Sequence, residues 1–121
     1  MPHIIVEHSN NLSDQLLDMP VLLEALCQTA VGTGLFPEAG LRARAYRADY
    51  QRVGQGDSDN GFVHVGMNVG KGRALADRQT AGEALFATLK AHLQPLMAKQ
   101  PLSLSFEMRE IDEVKFNYRN S

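Results

Sequence analysis

The residues best suited to chemistry in this chain are one proline and three arginines. Pro2 follows Met1 and leads directly into the run His3-Ile4-Ile5-Val6-Glu7. Once Met1 is removed, Pro2 carries a free secondary amine, a base held rigidly by its ring at the start of a strand. Proline is equally at home there for structural reasons, because the first residue of a strand needs no ladder donor. Arg42 and Arg44 stand two apart in a strand-like run, so both project from one sheet face. A guanidinium so placed binds a carboxylate through two parallel hydrogen bonds, and it also suits a surface or subunit contact with Asp or Glu. Arg73 follows Gly70-Lys71-Gly72 at a strand-to-helix junction, where free backbone N–H groups and the helix dipole favour an anion. An ordinary tight turn is the other reading of that segment. It is no phosphate loop, since GxxxxGK[ST] is absent and GxGxxG lacks its last glycine.

Other groups point away from chemistry. Asp57-Ser58-Asp59-Asn60-Gly61 lacks the spacing and the distal glutamate of a calcium loop and reads as a hairpin turn. His3, His8, His64 and His92 have no metal-ligand spacing with a cysteine or carboxylate partner. The single cysteine, Cys27, sits among Leu22, Leu23, Leu26 and Ala30 and reads as a small buried hydrophobe; one cysteine excludes an internal disulfide. A net charge of −2 and the lack of any basic block argue against nucleic acid and against an acidic membrane surface. No apolar run of membrane-spanning length and no signal-peptide pattern is present, so the expected location is the cytoplasm.

These residues need elements to position them. A length of 121 residues fits a single domain, 1–121, able to bury one core without staples. A strand is expected over residues 3–8 and a helix over about 19–32, with Asp18 as its cap and Pro20 in its first turn. Gly32-Thr33-Gly34 stops that helix, and a second strand runs from Leu41 to about Val53. A third strand covers Phe62 to Val69, a long helix starts near Ala74, and Pro95 kinks or ends its last turns. The fourth strand alternates from Leu102 to about Ile111. The order is βαββαβ. A shift of 61 positions places Ile4 on Val65, Val6 on Met67 and Leu41 on Leu102 with strand parity preserved, as two copies of one βαβ unit would. The expected fold is α+β: a four-stranded sheet with two helices on one face. Its other face, bearing Arg42, Arg44, His64 and Ser103, is too mixed to be a core, which points to association of several copies. The order alone equally suits a ferredoxin-like ligand-binding module, while the third strand lacks an RNA-recognition signature.

Several blocks in order bring the chain close to a known family: Pro2-His3-Ile4-Ile5-Val6-Glu7, Thr33 to Arg44, Phe62-Val63-His64, Gly70-Lys71-Gly72-Arg73 and Arg78-Gln79-Thr80-Ala81-Gly82-Glu83. Together they resemble the 5-carboxymethyl-2-hydroxymuconate isomerases of the tautomerase superfamily. The resemblance implies a tautomerase-like homotrimer that works without a cofactor, in bacterial breakdown of homoprotocatechuate. It implies Pro2 as the base and a small polycarboxylate dienol as substrate. Arg42 and Arg73 are then the expected carboxylate clamps, with Arg44 as a third substrate-binding candidate that also fits a structural pair. A tautomerase acting on another 2-oxo or 2-hydroxydienoic acid would use the same residues.

Overall fold

The structure is a computed structural model that describes residues 1–56, 59–111 and 114–120. Strand β1 (His3–His8) begins the chain and is followed by a single turn of helix, α1 (Asp14–Leu17), and by α2 (Met19–Gly32). A 3-10 turn (Glu38–Gly40) precedes β2 (Arg42–Arg47); then come β3 (Gly61–Val69), α3 (Leu75–Met97) and β4 (Leu102–Glu110). The sheet order is β2-β1-β3-β4, with β1 parallel to β2, β3 parallel to β4, and β1 antiparallel to β3. Two βαβ units thus meet back to back at the centre of the sheet.

The register bears out the repeat. Ile4 lies opposite Met67 and Val6 opposite Val65, so the shift that relates the halves also carries the central pairing onto itself. The outer pairs differ slightly: His3 faces Arg42, whereas its counterpart His64 faces Ser105 rather than Ser103. A slip of two residues keeps every side chain on its face, which is why parity survives it.

Alternation on the strands builds the core. Ile4, Val6, Val63, Val65, Met67 and Val69 are buried on the helix side. Leu22, Leu26 and Ala30 of α2 and Ala81, Leu85, Leu89, Leu93 and Leu96 of α3 cover them, at the three- and four-residue spacing that gathers a helical stripe. Each fully buried leucine contributes about 1.5–3 kcal/mol relative to exposure. At Gly82 a Cβ would stand 3.3 Å from the Phe106 ring, so the absent side chain lets α3 approach β4 closely.

Several sequence expectations are corrected. Asp18 does not cap α2 with its side chain; it adopts φ 40°, ψ 66° and joins α1 to α2 as a left-handed hinge. The cap interaction belongs instead to Ser13, whose hydroxyl accepts from the Leu16 N–H at 3.3 Å at the start of the unforeseen α1. Strand β2 stops at Arg47, well short of Val53, where the sheet ladder gives way to side-chain bonds such as the Asn10 N–H to Gln51 Oε1 at 2.8 Å. The expectation for Pro95 holds: it lies inside α3, lacks the N–H that would bond the carbonyl four residues back, and the helix ends two residues later at Met97. The expected hairpin turn at 57–61 falls partly outside the described residues.

Candidate active site

Pro2 is buried at the end of β1, and its carbonyl accepts the Arg42 N–H at 3.0 Å, the first rung of the parallel ladder to β2. Its ring rests on the 3-10 turn: Cδ lies 3.8 Å from where a Cβ of Gly40 would stand. A pocket of about 370 Å³ opens beside Met1, between residues 37–40 and residues 117–119. With Met1 attached, the Pro2 nitrogen is a planar amide without a basic lone pair, and the Met1 amine stands in as a sensor of the local field one residue ahead of it. That amine is held below its usual value of 8.0, first by burial and then by the charges of Lys115, Arg73, Arg42 and Arg119. Burial and nearby cations both disfavour an ammonium, so both keep an amine here in its proton-accepting form.

Arg73 owes its position to a tight turn at Gly72, whose φ of 116° lies in the region only glycine adopts freely. Its guanidinium is tied to main-chain carbonyls, with Nε and Nη2 donating to Leu35 O at 3.3 and 3.1 Å and Nη1 to Gly70 O at 3.3 Å. It also stacks over Phe36, 4.8 Å from the ring centroid. These neutral partners orient the group without cancelling its charge, and among the described residues one N–H on each terminal nitrogen has no partner and can meet a carboxylate. Arg42 is exposed and donates from Nη1 to the carbonyls of Ala39 and Leu41 at 3.1 and 3.2 Å. Among the described residues the ion pairs are His64–Glu107, Arg78–Glu110 and Arg109–Glu107, so the surface-pair reading of Arg42 and Arg44 finds no acidic partner there.

Arg44 is not among the cations felt at the N-terminus. It lies on the sheet face away from the helices and donates from Nη1 to His3 Nδ1 at 3.0 Å. A guanidinium only donates, so His3 Nδ1 must carry the lone pair and the ring is neutral. The His3 pKa is accordingly lowered from 6.5, by burial first, then by Arg44, the N-terminus and Arg42. Arg42 and Arg73 thus both act on the amine next to Pro2 within one chain, and Arg44 is outside that group.

The strand-to-helix junction departs from expectation in another way. It does attract an anion, but that anion is the chain's own Glu110, whose carboxylate accepts the Gly72 N–H at 3.2 Å and lies 3.7 Å from Arg78. The site itself is thus built by the Arg73 side chain rather than by the loop amides. Sequence reasoning also missed Lys115 and Arg119, which approach from the other end of the chain. Among the remaining groups, Cys27 is half-buried, with burial and then Glu38 pushing its thiol pKa up, as suits an unreactive thiol. His64 bonds Ser105 and Glu107, and His92 bonds the Leu17 carbonyl at 2.7 Å. No cluster of metal-ligating side chains occurs among the described residues. A roomier cavity of about 440 Å³ between α2 and α3 is lined by Thr29, Thr33, Thr80 and Asp77, and no Lys, Arg or His is among its described lining residues.

Comparison with known proteins identifies the family. The family model for 5-carboxymethyl-2-hydroxymuconate isomerase matches residues 2–121. The chain belongs to that family. It is 41% identical over 111 residues to the 5-carboxymethyl-2-hydroxymuconate Delta-isomerase of Escherichia coli, covering 92% of this chain and 87% of that one. Its fold superposes on the crystal structure of a 5-carboxymethyl-2-hydroxymuconate isomerase from Deinococcus radiodurans R1 with a TM-score of 0.90 and 32% identity, covering 99% of this chain and 90% of the other. A fused 4-OT symmetric trimer shares the fold at TM-score 0.67 and 20% identity, over 98% of this chain and 92% of that one. The chain is therefore an isomerase with the tautomerase-like α+β fold, and the binding-module reading falls away. No helix among the described residues is long and apolar enough to cross a membrane.

Proposed function

We propose that this isomerase converts 5-carboxymethyl-2-hydroxymuconate, a tricarboxylate dienol, to the unsaturated 2-oxo acid, with Pro2 as the proton-transferring base. The observation that carries the reading is that four cations act on the amine beside Pro2, next to a pocket lined by Met1 and Arg119. After removal of Met1, the Pro2 amine takes the hydroxyl proton of the dienol. The electrons shift through the conjugated system, and the proton is delivered to the carbon bearing the carboxymethyl group, so the reaction is balanced without a cofactor. Arg42 and Arg73 bind substrate carboxylates and stabilise the negative charge that builds up as the proton leaves. Arg44, held against His3 on the far sheet face, acts at a subunit contact in a cytoplasmic homotrimer whose single-domain subunits associate through that face.

The test is a spectrophotometric assay on 5-carboxymethyl-2-hydroxymuconate, 2-hydroxymuconate and phenylenolpyruvate, using protein whose N-terminus has been assigned by intact mass. Trimmed protein is expected to prefer the tricarboxylate. Protein retaining Met1 is expected to fold normally but turn over far more slowly, with Pro2→Ala between the two because a primary amine replaces the ring amine. Full activity with Met1 retained would refute Pro2 as the base. Preference for a smaller enol would move the substrate assignment to another 2-hydroxydienoic acid.

A further inference from the structure

The C-terminal segment reaches the same pocket. Residues 114–120 form neither helix nor strand and are exposed, yet two of their cations come back to the start of the chain. Arg119 Nη1 donates to Ala39 O at 2.8 Å, the same carbonyl that accepts Arg42 Nη1 at 3.1 Å. Lys115 Nζ lies 2.7 Å from where a Cβ of Gly70 would stand, while Arg73 Nη1 bonds the Gly70 carbonyl and lies 4.0 Å from the same point. The bare backbone of Gly70 lets that ammonium come close. Each cation of the folded body is thus joined by one from the tail: Arg42 by Arg119, and Arg73 by Lys115. All four act on the Met1 amine. Like charges brought to one neutral carbonyl or one glycine repel, and a bound polyanion relieves that repulsion.

We infer that Arg119 and Lys115 are further substrate-binding residues, which hold carboxylates alongside Arg42 and Arg73 and make the enzyme select tricarboxylate over monocarboxylate enols. The inference rests on the proposed substrate class, and the charges match it, with four cations set around a ligand of three carboxylates. Of the five N–H donors of Arg119, one is engaged with Ala39 among the described residues, so the fork has donors to offer.

The test compares wild type with Arg119→Gln, Lys115→Gln and Arg119→Lys on the three enols, together with calorimetric binding of tricarballylate and butyrate. Losing one charge-assisted contact is expected to lower the tricarboxylate-to-monocarboxylate ratio of kcat/KM by roughly ten- to a hundredfold, mostly through KM. Arg119→Lys should recover part of it. Tricarballylate affinity should fall by a similar factor, with butyrate binding affected far less. Equal losses on all three enols, or undiminished tricarballylate binding, would overturn the inference. If wild type turns over none of the enols but binds tricarballylate in an Arg119-dependent way, the proposed activity fails and the anion site stands. If Arg119→Gln disturbs assembly, Lys115→Gln carries the same test, since its ammonium makes no hydrogen bond among the described residues.

Discussion

Replacing Arg73 with glutamine removes one cation from the site while keeping a side chain that can still donate. In the structure Arg73 makes three hydrogen bonds to the carbonyls of Leu35 and Gly70 and stacks on Phe36 at 4.8 Å. Glutamine can replace one of those bonds, so the structural loss is about 1–2 kcal/mol, or a few degrees in Tm. The functional loss is separate. A charge-assisted bond to a substrate carboxylate contributes about 1.5–3 kcal/mol, which corresponds to a drop of roughly ten- to a hundredfold in kcat/KM on a polycarboxylate enol. The pH profile offers a third and independent readout. Arg73 lowers the pKa of the amine at the N-terminus, so its removal raises that pKa. The base is active when neutral, hence activity rises with pH through its pKa, and the acidic limb of the kcat/KM profile should move to higher pH in the variant. Steady-state assays across that limb, with Tm measured alongside, check all three. An unmoved limb with equal losses on tricarboxylate and monocarboxylate enols would show that Arg73 only braces the loop.

Three other expectations follow from particular contacts. Light scattering at micromolar concentration should give the mass of three chains, and a stable single chain would refute association through the sheet face of Arg44 and Ser105. Leu89→Ala, at a position with no exposed surface, should lower stability by about 2–5 kcal/mol in urea unfolding without selecting among substrates. NMR titration should place the His3 midpoint below 6.5, and Arg44→Gln should raise it, because the guanidinium bond that favours the neutral ring is gone. Since the folded state then resists a proton that the unfolded state accepts, His3 makes stability fall as pH drops below 6.5.

How much of this was legible beforehand depended on how local the cause was. Alternation along β1, β3 and β4 and the four-residue stripe of α3 are properties of neighbouring residues, so the elements, their order and the buried face could be read directly, as could the duplication. The family blocks likewise singled out Pro2, Arg42 and Arg73. Boundaries set by competition were harder: Ser13 rather than Asp18 supplies the side-chain cap, and β2 ends where side-chain bonds replace the ladder. Least legible were pairings between distant parts of the chain. Gly72 meets Glu110 across 38 positions, His3 meets Arg44 across 41, and Arg119 meets Ala39 across 80. Composition and spacing carry no record of such meetings, because each depends on where strand register and the path of the chain end set a flexible charged side chain down. Local patterning alone carries a βαβ repeat with a proline at its head. The charge around that proline is a product of the folded chain, in which β2, the β3–α3 junction and the C-terminal segment each supply a cation that acts on the N-terminal amine.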